Sequence, residues 1–227
     1  MKTRIIRKSD RRIDQNSWRT AWHEYYPGMT NFGQLTGFNL DVVAPGQGFG
    51  IHPHRDMEII TIPTDGAQVH KDSLGNEKTI STGEIQVMSA GSGIQHSEMN
   101  ASSDKPFTSY QIWIYPNKDG LSPSYQQKLY NPSEKGMQLL VSPNGEKESL
   151  TIHQNAWLSY LYLENESNQT YQPKAKGHGI YIQMASGKAK INGELLFEED
   201  SIEISSDRQF EISAKSNCNM ILIETEL

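Results

Sequence analysis

Apolar positions along this chain come in short runs broken by Gly, Pro, Asn and Asp: "FNLDVVAPG", "MEIITIPTDG", "GEIQVMSAG", "SYQIWIYPN", "GMQLLVSPNG", "AWLSYLYLEN", "GIYIQMASG", "AKINGELLF" and "DSIEIS". Their β-branched and aromatic content, spacing and turn punctuation predict an all-β sandwich or barrel. A parallel α/β architecture would need helical patterns of about 10–15 residues between the strands, and these are missing. One helix is expected, over "SPSYQQKLYNP" at 122–132, where Ser122 stands as a cap and Pro123 at the first helical position. It reads as a connector between an amino-terminal half, 1–121, and a carboxy-terminal half, 133–227.

A faint internal repeat accompanies that division. "GNEKTISTGEIQVM" (75–88) and "NGELLFEEDSIEI" (192–204) both read as a turn, a short strand, an acidic turn and another strand. The second half has only His153 and His178, and neither belongs to an H-x-H pair. Any centre built from paired histidines is therefore expected in the first half.

Composition narrows the classes. At 227 residues the chain should bury roughly 70% of its unfolded surface, enough for a core without disulfides. The single cysteine, Cys218, cannot form an intramolecular bridge, which fits a reducing compartment. The start "MKTRIIRKSDRR" is basic with no apolar run behind it, so no signal peptide is expected, and no stretch approaches the ~18 apolar residues of a membrane span. The expected location is the cytoplasm. With 21 basic and 27 acidic residues the net charge is −6, and no basic face of the kind nucleic-acid binders carry is apparent.

The candidate chemistry lies in "GFGIHPHRDMEIITI" (48–62). Residues two apart in a strand share a face, so His52 and His54 aim at one point. His96 and Glu98, in "GEIQVMSAGSGIQHSEMN" (83–100), form a second such pair. Two same-face pairs from different strands can converge to give three imidazoles and one carboxylate, a donor set suited to a redox-capable divalent ion. Glu58, four residues after His54, competes with Glu98 for the carboxylate position, and periodicity leaves that choice open. Ile60 and Ile62 fall on the expected ligand face, as pocket lining or ordinary core, and Phe49, Met88 and Trp113 are candidate pocket walls. His70, in "VHKDSLGN", reads as a turn residue beside the turn formers Asp72, Ser73 and Gly75. His23 sits among aromatics and reads as structural.

Gly46 followed by His52-x-His54 and Glu58 resembles the first cupin motif, and "GEIQVMSAGSGIQHSE" resembles the second. More specifically, "HPHRDMEIITI", "VHKDSLGN" and "GEIQVMSAGSGIQHSEMN" resemble the pirin family of bicupins, over about residues 18–130. The resemblance implies two jelly-roll β-barrel domains, the first carrying the metal. It implies His52, His54, His96 and Glu98 as ligands, leaving Glu58 to accept the second N–H of a ligand imidazole. It implies one divalent ion, foremost Fe(II), with zinc, manganese, nickel, copper and cobalt as further candidates. Two activities come with it: dioxygen-dependent cleavage of the flavonol quercetin or a related aromatic enol, with Glu98 as ligand and base, and a redox-responsive regulatory role with a protein partner. A non-oxidative cupin is a third reading.

Overall fold

The computed structural model describes residues 2–26, 28 and 30–227. Among these residues the regular structure is β, apart from two short 3-10 turns at Lys8–Asp10 and Glu146–Glu148. None of the described helices is long and apolar enough to cross a membrane.

The strands form four sheets in two matching pairs. In the first half a seven-stranded sheet runs Ser124–Leu129, Glu84–Ser89, Glu58–Asp65, Phe107–Ile114, Leu35–Val43, Arg19–Tyr25, Arg12–Gln15. Its companion has four strands: Gly48–His54, Ile94–Asn100, Ala67–Asp72, Glu77–Ser81. The second half repeats the plan with Lys2–Ile6, Ser201–Ser205, His178–Ser186, Cys218–Glu226, Ala156–Leu163, Gly136–Ser142 and Leu150–Thr151 in one sheet. Asn168–Tyr171, Phe210–Ala214, Lys188–Ile191 and Glu194–Phe197 make the other. The faint repeat in the sequence falls on equivalent strands: 77–81 and 84–89 occupy the places that 194–197 and 201–205 take in the second half. The paired sheets of each half do not join into one closed hydrogen-bonded barrel, because both outer strands of each four-stranded sheet lack a ladder to the larger sheet.

The expected helical connector is a strand. Ser124–Leu129 pairs antiparallel with Glu84–Ser89, from Ser124 opposite Ser89 to Leu129 opposite Glu84. Two-residue alternation explains the outcome. Tyr125 and Gln127 turn to the first half, where the Gln127 amide donates to the Thr79 carbonyl and the Glu84 carboxylate. Gln126 and Lys128 turn to the second half and donate to the carbonyls of Thr151 and Glu148. A helix could not divide its partners this way, and the outer edge of Glu84–Ser89 would stay open. Lys2–Ile6 does the reciprocal work, pairing antiparallel with Ser201–Ser205 in the second half. Each half's leading strand thus completes the other half's sheet.

The two large sheets pack back to back. Phe38, Ile60, Ile62, Val87, Tyr110 and Ile112 share one apolar cluster with Leu140, Leu158, Tyr160, Tyr181, Ile221 and Ile223. Each fully buried Ile contributes on the order of 1.5–3 kcal/mol there. The opposite faces differ between the halves. In the second half the space between sheets is filled by Ile180, Ile182, Met184, Ile202, Leu222, Ile191, Leu196 and Ile212, an unbroken apolar core. In the first half the corresponding region carries buried Asn39, Asp41, Thr61, Gln68, His70, Gln86, His96 and Glu98. A fold that fills one interior with hydrocarbon and the other with hydrogen-bonding groups has its chemistry in the second kind.

Candidate metal centre

Gly48–His54 lies at the edge of the four-stranded sheet, with Ile51 78% exposed, so the alternate residues His52 and His54 turn inward. Pro53, between them, has no N–H to present on this edge, a placement that prolines in sheets favour. The neighbouring strand brings His96 opposite His52 and Ile94 opposite His54. The register then shifts between His96 and Glu98, a bulge that sets Glu98 opposite Phe49. Close approach here requires glycine: a Cβ on Gly48 would sit 2.1 Å from the Glu98 carbonyl oxygen.

The three imidazoles converge. Ring centroids are 4.9 Å apart for His52 and His54, 4.3 Å for His52 and His96, and 5.0 Å for His54 and His96. One ligand nitrogen from each lies within 4.8 Å of the others. His70, His96 and Glu98 form a second group of the same span, and Glu98 lines the same cavity as His52 and His54. Its carboxylate is buried and accepts from Gln68 at 3.1 Å and from Gln111 at 3.2–3.3 Å.

The donor set suits a cation that needs neutral imidazoles. Burial, then the neighbouring His96 and His52, lower His54 to about 4. Burial first, with His52 and His70 adding to it, lowers His96 to about 3. The His52 Nδ1 lies 2.8 Å from the Gly50 carbonyl, which can only accept, so Nδ1 carries the proton and Nε2 keeps its lone pair. The His96 Nε2 is buried with no hydrogen-bond partner. A buried orphan nitrogen costs about 1–3 kcal/mol, and a bound ion would satisfy it. These residues fit a divalent metal.

Other candidates fall elsewhere. Glu58 is buried, but its carboxylate accepts from Ser89 Oγ at 2.6 Å and sits 3.2 Å from His153 Nδ1; no hydrogen bond joins it to His52, His54 or His96 among the described residues. Burial raises its carboxyl above the usual range, with Ser89 and His153 opposing. Ile60 and Ile62 belong to the core between the large sheets, not to the ligand face. Met88 packs in a small cluster with Met57, Ile59, Ala90, Ile94 and Trp113. Phe49 and Trp113 do line a cavity of about 360 Å³, which His52, His54 and Glu98 also reach. His23 lines it too, with its Nε2 3.3 Å from Asp14. Arg19 and Asp41 form a further wall: Arg19 Nε donates to Asp41 Oδ1 at 2.7 Å while its guanidinium lies 5.1 Å from the Phe49 ring centre. Burial raises Asp41 to about 6 despite Arg19.

His70 is the residue that the turn reading missed. It is fully buried on Ala67–Asp72, directly opposite Glu98, with Nδ1 3.5 Å from His96 Nδ1 and Nε2 2.9 Å from Asp72 Oδ2. The signal was available: His70 and Asp72 are two apart, the same spacing that singled out His52 and His54.

Comparison with known proteins agrees with this architecture. The Pirin family model matches residues 6–114, and the model described as "Quercetinase C-terminal cupin domain" matches 139–225. A quercetin 2,3-dioxygenase from Escherichia coli K12 is 37% identical over 226 residues, covering 96% of this chain and 97% of that protein. A pirin-like protein from Caulobacter vibrioides is 34% identical over 92% of this chain and 93% of its own length. The crystal structure of the bacterial pirin YhhW of Escherichia coli in complex with nickel(II) superposes with a TM-score of 0.95 at 34% identity, covering 99% of both chains. Two sheet pairs of one plan, a cluster of inward imidazoles in the first and full-length similarity at this level have one explanation: the chain belongs to the pirin family.

Proposed function

We propose that the chain is a metal-dependent dioxygenase that opens the central ring of quercetin or a related flavonol, consuming dioxygen and releasing carbon monoxide with a depside product. The observation that carries this reading is the convergence of His52, His54 and His96, two of which, His52 and His54, open with Glu98 onto a cavity with aromatic walls. Its volume of about 360 Å³ falls in the ~300–1,000 Å³ range of small-molecule sites. Similarity to proteins named quercetin 2,3-dioxygenase supports the substrate class.

His52, His54, His96 and Glu98 would hold the ion, for which Fe(II) is our proposal. When bound, a divalent ion supplies Lewis acidity that lowers the pKa of a coordinated hydroxyl. Glu98 takes the proton of the flavonol 3-hydroxyl, and Gln68 and Gln111, both donating to its carboxylate, keep the oxygens aimed. Phe49 and Trp113 offer flat apolar faces to the rings, and the Arg19–Asp41 pair offers hydrogen bonds to peripheral hydroxyls. The buried free thiol of Cys218 supports a reducing, cytoplasmic setting.

The test is to load metal-free protein separately with iron, manganese, nickel, copper or cobalt, bind quercetin without oxygen, and admit oxygen. Oxygen-dependent loss of the quercetin absorbance with carbon monoxide release is expected. Absence of turnover with every ion would remove quercetin from consideration.

A further inference from the structure

We propose that Asp72 and His70 form a positioning relay that fixes the tautomer of His96 and aims its Nε2 lone pair at the cation. The inference rests on the metal-centre reading above and adds residues to it that bind no metal themselves.

The argument is one of proton counting. Asp72 Oδ2 lies 2.9 Å from His70 Nε2, and a carboxylate accepts only, so that nitrogen carries a proton. With that one proton on its ring, His70 has a bare lone pair on Nδ1. Among the described residues the ring nitrogen that approaches that lone pair is His96 Nδ1, at 3.5 Å, which makes His96 the N–H donor of the relay. With its proton on Nδ1, His96 keeps the Nε2 lone pair free, and this is the buried nitrogen that has no hydrogen-bond partner. The chain carboxylate, imidazole, imidazole leaves one possible acceptor atom, on the side of the ring that faces His52 and His54.

Each member of the relay is itself fixed. Asp72 also accepts from the backbone N–H of Leu74 and of Asn76, and from the Asn76 side chain, so the turn holds its carboxylate in place. His70 is fully buried, and its ring lies 4.8 Å from that of Tyr125 at a 34° tilt. Tyr125 belongs to the strand paired along Glu84–Ser89, so the relay is covered by the segment leading into the second half. His70 is a positioning residue and not a fourth imidazole ligand: its Nε2 is committed to Asp72 and its Nδ1 to His96. Partners of this kind typically change metal affinity about 10–100-fold when removed.

Nitrogen-15 NMR of the histidine rings in the intact, metal-free protein tests the assignment without any metal or activity. His70 protonated at Nε2 and His96 protonated at Nδ1 are expected; His96 protonated at Nε2 overturns the relay. Zinc(II) affinity, measured by competition with a chromophoric chelator, is the second readout. His70→Phe keeps the ring that packs on Tyr125 but accepts no hydrogen bond, and about 10–100-fold weaker zinc binding is expected. Asp72→Asn should weaken it in the same direction. Unchanged affinity in both variants, or zinc bound at His70 Nδ1, would overturn the proposal. Should His70→Phe fail to fold, the ring tautomers of the unaltered chain decide alone. Tautomers as expected in a protein that turns over no flavonol would uphold the relay and sink only the proposed activity.

Discussion

His52 and His96 are register partners on adjacent antiparallel strands, and their ring centroids stand 4.3 Å apart. Directly opposed strand residues face the same side of a sheet, so this pairing, with His54 two residues on, is what gathers three imidazoles. His52→Ala and His96→Ala are each expected to lose most of the bound metal. Glu58→Gln is expected to retain it, because Glu58 bonds Ser89 and His153 instead. Elemental analysis of the three purified variants checks this.

Acid should destabilise the metal-free protein through the same imidazoles. In the unfolded chain a histidine takes a proton near its ordinary 6.5, while His54 and His96 in the folded protein resist protonation until about 4 and about 3. Between those values the unfolded state binds more protons, so stability falls as pH falls from about 6.5 and the effect levels off below about 3. Urea midpoints measured from pH 7.5 to 4 should decline with the slope concentrated below 6.5. Zinc-saturated protein should hold its midpoint to lower pH, because bound metal competes with those protons.

Arg19→Leu is expected to cost stability in a pH-dependent way. It strips the cationic partner from Asp41, which is 4% exposed and among the described residues keeps only the neutral Asn39 amide as a donor. Asp41 is already raised to about 6 by burial, and removing the guanidinium raises it further. A raised carboxyl binds more protons folded than unfolded, so its penalty is fully present above the folded pKa and shrinks as pH falls toward the ordinary 3.8. A loss of about 1–3 kcal/mol at pH 8, smaller at pH 5, is expected from urea unfolding. The KM for quercetin should rise, since Arg19 is part of the cavity wall.

Removing residues 1–6 should weaken the second half although they precede the first. The deletion strips the partner from Ser201–Ser205, exposes that edge and loses the buried Ile6 together with the Arg4–Glu203 ion pair. Ile6 alone accounts for roughly 1.5–3 kcal/mol. Urea unfolding and light scattering should register lower stability and new self-association.

The sequence was most informative where one strand suffices to argue from. His52 with His54, and His96 with Glu98, are each two apart within a strand, and alternation carries that far. It fails across a turn. The chain reverses at Asp56, whose φ is +47°, and enters a different sheet, so the four-residue spacing from His54 to Glu58 conveys nothing about facing. Ile60 and Ile62 lie beyond the same turn, so of their two readings, pocket lining or ordinary core, the core reading holds. His70 was overlooked because its role depends on two strands far apart in sequence meeting at Glu98. The Ser-Pro opening at 122–123 is an ordinary helix signal, overridden by an open sheet edge that no local pattern announces.

The crossed leading strands have a consequence for the integrity of the molecule. The loop at 117–120 is exposed and joins the two halves, and a protease that cuts there would break the covalent thread between them. The fragments would nonetheless stay clasped, since the front piece holds Lys2–Ile6 in the rear sheet and the rear piece holds Ser124–Leu129 in the front one.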